Sequence, residues 1–242
     1  MLKREYLINL TRSKPVNYDG LLIYPVSFGH IYDDIGEDTF YQMLLPFRLT
    51  PDCFDIPPDG PFSLFCDKIL KDQSLTYLLY ECLKLFCPDE NLDTCGVTDD
   101  SFAIVRAEED IFHITAEIFD EIGEIILAIA GVERIKIEKP DPSLSERQLD
   151  VWQKLKAGRE RDRKKNEVTI ADQLNICEFG GRFHIPIETL EAWSPWKIKR
   201  CFTNIVSKNE YDDSISLYHP MAGDTSGFTK NRHWLEKFKV RN

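Results

Sequence analysis

Residues 143–165, SLSERQLDVWQKLKAGRERDRKK, divide this chain in two. Ser143 followed by Glu146 has the spacing of a capping box, so a helix is expected to begin there. Leu149, Trp152 and Leu155 then recur every three residues, the interval of a face that docks. From Lys156 onward nothing larger than Ala157 is offered for burial, and Lys154 to Lys165 carries seven Lys or Arg against two acids. A helix polar all round bridges solvent, binds a partner or frays. A solvated helix end is the plain reading of this run and a partner-binding segment the other. Aromatic interleaving, which would favour stacking on nucleic acid, is limited to Trp152.

Outward from this stretch, charge separates the two sides. Residues 1–142 hold 12 Lys+Arg and 27 Asp+Glu, a balance of −15; residues 143–242 hold 18 and 14, a balance of +4. Such an acidic first part argues against a general nucleic-acid binder. No apolar run approaches the roughly 18 residues that span a bilayer, and the N-terminus has no long apolar signal region. Seven cysteines, an odd number with no C-x-x-C pair, read as reduced core thiols in a cytosolic protein.

Toward the N-terminus, Tyr6–Leu10 reads as an arm or edge strand and Leu21–Pro25 as a short extended piece. Ser27 caps a helix with Phe28, Ile31 and Ile35 that Gly36 interrupts; a second carries Phe40, Tyr41, Leu44 and Leu45 until Pro46 ends it. Asp52 to Pro61 is a loop, and Phe62, Phe65, Cys66, Ile69 and Leu70 follow at helical spacing. Ser74 caps the most regular helix, with Leu75, Leu78, Leu79, Cys82, Leu83 and Phe86 on one side. Ser101–Arg106 and Asp110–Ile114, joined through 107–109, predict a β-hairpin. Thr115 opens a helix with Ile118, Phe119, Ile122, Ile125, Ile126 and Ile129, closed by Gly131 at C′. Val132–Pro142 reads as a linker.

Toward the C-terminus, Thr169 with Asp172 opens a short helix, 179–183 is a turn, and Ile187, Leu190 and Trp193 mark another helical turn. Ser194-Pro195 is an N-cap with an N1 proline, leading into Trp196, Phe202, Ile205 and Val206. A loop over 220–229 precedes Trp234, Leu235 and Phe238. The predicted fold is mainly α with a small β-hairpin. It has an acidic helical region 1–142 with the hairpin near 102–114, a charged connecting helix 143–166, and a helical C-terminal region 167–242.

Searching for chemistry yields little. No phosphate loop, dinucleotide fingerprint, H-E-x-x-H or nucleophile elbow is present. The five histidines are scattered. Asp33, Asp34, Glu37 and Asp38 form an acidic cluster of the oxygen type that suits magnesium or calcium, and a solvated face is the plainer reading. Asp224–Gly227 faintly echoes an aspartic protease loop, but that chemistry needs two copies. Gly180-Gly181-Arg182 reads as a tight turn. No catalytic residue, metal ligand or cofactor site is assigned.

Tyr24-Pro25, Ile31, Ile35-Gly36, Phe40-Tyr41 and Leu44-Leu45 set a spaced pattern, continued by Ile114-Thr115, Phe119-Asp120, Ile122 and Ile125-Ile126. Lys154–Arg159, the Trp193–Val206 region and the loop before Trp234-Leu235 complete it. In this order the chain resembles the tail assembly chaperones of long-tailed phages of Gram-positive bacteria. It departs from the commoner short members by its length and by the 102–114 hairpin. The resemblance implies a non-enzymatic, helix-rich protein without cofactors. Such a protein would coat the tape-measure protein, help recruit tail-tube subunits, act in the host cytoplasm and be absent from the mature virion. It implies neither a nucleic-acid nor a membrane partner, and leaves self-association open. Under it, Leu75, Leu78, Leu79, Phe86, Trp152 and Trp196 are either core or partner groove, and Arg159 and Arg161 belong to a basic partner-binding face. A structural tail or baseplate component is the neighbouring alternative. A metal-dependent hydrolase using the 33–38 cluster is the enzymatic one.

Overall fold

A computed structural model of the protein describes residues 2–54, 56, 64–90, 92, 95–105, 111–165 and 168–218. The expected loop over 220–229, its Asp224–Gly227 motif, Trp234, Leu235, Phe238, Phe62, the 107–109 link and most of the 52–61 loop lie outside the described residues.

The architecture is mainly α with small antiparallel sheets, as the periodicity predicts. Its main core is built where α3 (Leu45–Arg48), a π-helical turn (Phe65–Ile69), α4 (Gln73–Phe86) and α5 (Ala116–Ile129) meet. In α4, Leu75, Leu79, Cys82, Leu83 and Phe86 are buried along one stripe. In α5 the buried stripe is Phe119, Ile122, Gly123, Ile125, Ile126 and Ile129, with Leu127 beside it. Phe119 stacks on Phe47 at 4.7 Å and lies 4.6 Å from Phe65. α5 ends as expected: Gly131 takes φ +68°, Gly131 N–H bonds Ala128 O at 3.0 Å, and Val132 N–H bonds Leu127 O at 3.0 Å. That pair of bonds is the Schellman closure, which a β-carbon at C′ would strain.

Several expectations are corrected. Tyr6–Leu10 is not a strand but part of α1 (Arg4–Thr11), burying Tyr6 and Leu10 while Ile8 stays 49 % exposed. An alternating strand would have buried all three on one face. β1 (Val16–Tyr18) and β2 (Leu21–Ile23) pair in register Val16↔Ile23 through an Asp19-Gly20 turn, both residues at positive φ. Asp-Gly is the dipeptide that such a turn prefers. Pro46 does not end a helix; it opens α3, just after α2 (Glu37–Met43), at the position where its missing N–H costs nothing. Asp72, not Ser74, caps α4, accepting from Ser74 N at 2.9 Å and Leu75 N at 3.2 Å.

The predicted hairpin is present as β4 (Phe102–Val105) and β5 (Ile111–Ile114), with Phe102 opposite Ile114. A short β3 (Gly96–Val97) adds an edge strand to β4 that the pattern did not suggest. Residues 132–141 form neither helix nor strand and are tied back onto the helices before them. Ile135 N–H bonds Arg48 O at 2.7 Å, and Arg134 pairs with Asp120 at 2.8 Å.

The charged helix α6 (Glu146–Lys165) starts two residues later than the Ser143–Glu146 spacing implies. Asp141 accepts from Ser143 N and Oγ, so Ser143 is held in a turn; Ser145 donates to Gln148 Oε1 instead, at 2.9 Å from its N–H. α7 (Ile170–Phe179) opens on the predicted Thr169–Asp172 capping box. After α8 (Ile187–Glu191), α9 (Pro195–Tyr218) begins at the predicted proline, although the buried Ser194 hydroxyl makes no bond. A second cluster of Cys177, Leu190 and Ile198 closes over Phe28, whose N–H bonds Trp193 O at 2.7 Å. α9 also lies on α1 and α5, which brings its first turns to the rim of the main core. Among the described residues no helix is long and apolar enough to cross a membrane.

Candidate partner-binding surface

The eight residues singled out for partner binding separate by position. Leu75, Leu79 and Phe86 are core, the last two with no exposure, so of the two readings open for them the packing selects the structural one. Leu78 is half-buried against the same core. A helix stripe is accessible to a partner only where no neighbouring element covers it, and α2 and α3 cover α4.

On α6 no described side chain is buried. Val151 and Leu155 are 50 % and 58 % exposed, and Trp152 is half-buried beneath the Lys156 ammonium, 5.3 Å from its ring. Arg159 pairs with Glu138 at 2.8 Å, and Lys154 with Asp150 at 2.7 Å. Arg161 is exposed. The helix therefore lies lightly against the 136–138 segment, through polar contacts that salt screens.

Trp196 occupies a different setting. It packs half-buried against the main core and edges an open trough of about 420 Å³ between α5 and α9. One wall is the end of α5, with Leu127, Ala128 and Val132; the other is Trp196, Lys199, Arg200 and Thr203. These four recur at i, i+3, i+4 and i+7, a single face of α9. Its neighbours Ile198, Cys201 and Phe202 point into the second cluster instead.

The cations of this face are held in place. Lys199 Nζ donates to Gly131 O at 3.1 Å, satisfying a carbonyl at the end of α5. Arg200 lies over the Trp196 ring at 5.1 Å and donates from Nη1 to Thr11 Oγ1 at 3.4 Å. Lys197 lies over Trp193 at 4.4 Å and donates to Ser13 Oγ at 3.2 Å. Among the described residues, none of the three has a carboxylate within ion-pair distance. A second hollow of about 440 Å³, lined by Glu37, Tyr41, Val168, Thr169, Ile170 and Gln173, shares Gly131 and Lys199 with the first.

Within the acidic cluster, Glu37 lines the second hollow. Asp33, Asp34, Glu37 and Asp38 are all exposed, and Asp34 takes a bond from His30 Nδ1 at 2.7 Å. Among the described residues, no three His, Cys, Asp or Glu side chains are grouped to hold a metal ion. Gly180-Gly181 forms the predicted turn, with Phe183 83 % exposed beside it. All seven cysteines are free; the buried Cys177 of α7 donates from Sγ to Ile198 O of α9 at 3.6 Å, with Cys201 as its neighbour in the same cluster.

Sequence reasoning named Trp196 but missed Lys199, Arg200 and the α5 wall. The i, i+3, i+4, i+7 stripe was readable; its juxtaposition with residues almost 70 positions earlier was not. No family model, curated protein or solved structure matches the chain.

Proposed function

We propose that this chain is a non-enzymatic assembly chaperone of the phage-tail type, holding helical segments of a tape-measure protein and helping to bring tail-tube subunits to it. The observation that carries the reading is the trough beside Trp196: largely apolar, open, and edged by Lys199 and Arg200, which have no carboxylate at ion-pair distance among the described residues. A groove between two helices is the form in which proteins take up a partner's amphipathic helix. Helix α6 adds a second accessible surface, with Val151 and Leu155 exposed among basic residues. The spaced residues that resemble tail assembly chaperones supply the biological setting.

In this reading the protein works in the host cytoplasm and leaves before the particle matures. Co-expression with the cognate tape-measure protein, followed by affinity capture, is expected to recover a complex. Failure to recover one, or a stoichiometric presence of this chain in purified virions, would overturn the proposal.

A further inference from the structure

Building on the chaperone reading, we infer that the Trp196 trough takes one kind of occupant: a partner helix whose apolar stripe is interrupted or flanked by Asp or Glu side chains. The first hollow is apolar on its α5 side and at Trp196, with Leu127, Ala128 and Val132 facing that ring, and Lys199 and Arg200 at its edge. The second hollow is mixed, with Glu37, Thr169 and Gln173 beside Tyr41, Val168 and Ile170. A segment lying in the first hollow therefore meets apolar anchors and the Lys199 ammonium together.

The cations favour a carboxylate there. Lys199 uses one of its three donors on Gly131 O, leaving two for a ligand. Arg200 is stacked on Trp196, so its planar donor fork is already oriented at the rim. Among the described residues neither Lys199 nor Arg200 has a carboxylate at ion-pair distance, although Lys199 helps to hold the Glu133 carboxyl below its usual range and Glu37 lines the second hollow. Preorganised cations beside an apolar floor lower the ordering cost of binding and select partners by charge. A polyanion such as nucleic acid is disfavoured, because α5 carries exposed Glu121 and Glu124 and the net charge is −11.

The test uses the full chain and two labelled helical peptides on the order of 20 residues long, enough to hold a helix. Both have the same leucine stripe; one is flanked by Glu and the other by Lys. Fluorescence anisotropy is expected to show that the Glu peptide binds and the Lys peptide does not. The double variant Lys199→Glu/Arg200→Glu, changed only at exposed positions and checked for fold by circular dichroism, is expected to lose at least about tenfold in affinity for the Glu peptide and to gain the Lys peptide. Trp196→Ala is expected to weaken both modes. Equal binding of the two peptides, binding of neither, or no response to the charge reversal would overturn the inference. So would displacement of the Glu peptide by duplex DNA, or a dimer of the chain that the reversal dissolves without any peptide binding.

Capture of the tape-measure protein, run on the same variants, separates the two claims. Equal capture by the wild-type and reversed chains keeps the chaperone reading and removes this groove from it. Charge-dependent peptide binding without capture keeps the groove and removes the named partner.

Discussion

Cys201 is more acidic than an ordinary thiol. The Cys177 thiol beside it and the Lys197 ammonium favour its charged form, so its pKa falls to about 7. Cys177, buried beside it, is pushed well up by its interaction with Cys201 and by loss of water. An acid whose pKa is lowered is charged at lower pH, so the reactive thiolate should appear one to two pH units early. Alkylation of Cys201 by iodoacetamide, followed by peptide mass spectrometry, is expected to rise about tenfold from about pH 6 to about pH 8 and then level off. Cys177→Ala removes the neighbouring thiol and should move the inflection upward. A Cys201 profile still climbing at about pH 9 in the wild-type chain would refute this assignment. The cysteine count forecast free thiols; which two would meet depended on α7 and α9 packing together.

Helix ends and helix faces differ in how far local residues decide them. α5 was readable throughout, because its Ile stripe sets the period and Gly131 closes it within the same stretch. α1 was not, since five residues rich in apolar side chains fit either period and only the covering elements choose. Within α5, Gly123 has a reason that only packing supplies: a β-carbon there would stand 2.8 Å from Phe47 Cδ1. Gly123→Ala gains up to about 1 kcal/mol of helix propensity. It also crowds the stacked Phe47–Phe119 pair, and overpacking of that kind costs about 1–3 kcal/mol. The net expectation is a loss of about 1 kcal/mol, read as a lower urea midpoint at unchanged slope. A raised midpoint would mean that the Phe47 ring turns aside freely. Glycine at the centre of a helix pattern signals such a close approach, though not to what.

At the scale of the molecule, Phe28 joins two parts that charge and composition separate. It comes from the acidic first region, is buried among Cys177, Leu190 and Ile198, and lies 4.2 Å from the Tyr32 ring. Phe28→Ala should cost about 3 kcal/mol, and the cost should fall unevenly. Hydrogen exchange is expected to quicken in α7 and α9 while α4, buried in the other cluster, keeps its protection. Uniform exchange across all three helices would instead make the two clusters one cooperative unit. The helical character, the β4–β5 hairpin, the Thr169–Asp172 cap and the closure of α5 are local matters, because periods of 3.6 and 2 and the chemistry of caps act over a few residues. That Leu79 and Phe86 are covered while Trp196 borders an open trough follows from long-range packing. An apolar stripe looks the same in sequence whether a neighbour buries it or leaves it free, and that neighbour comes from elsewhere in the chain.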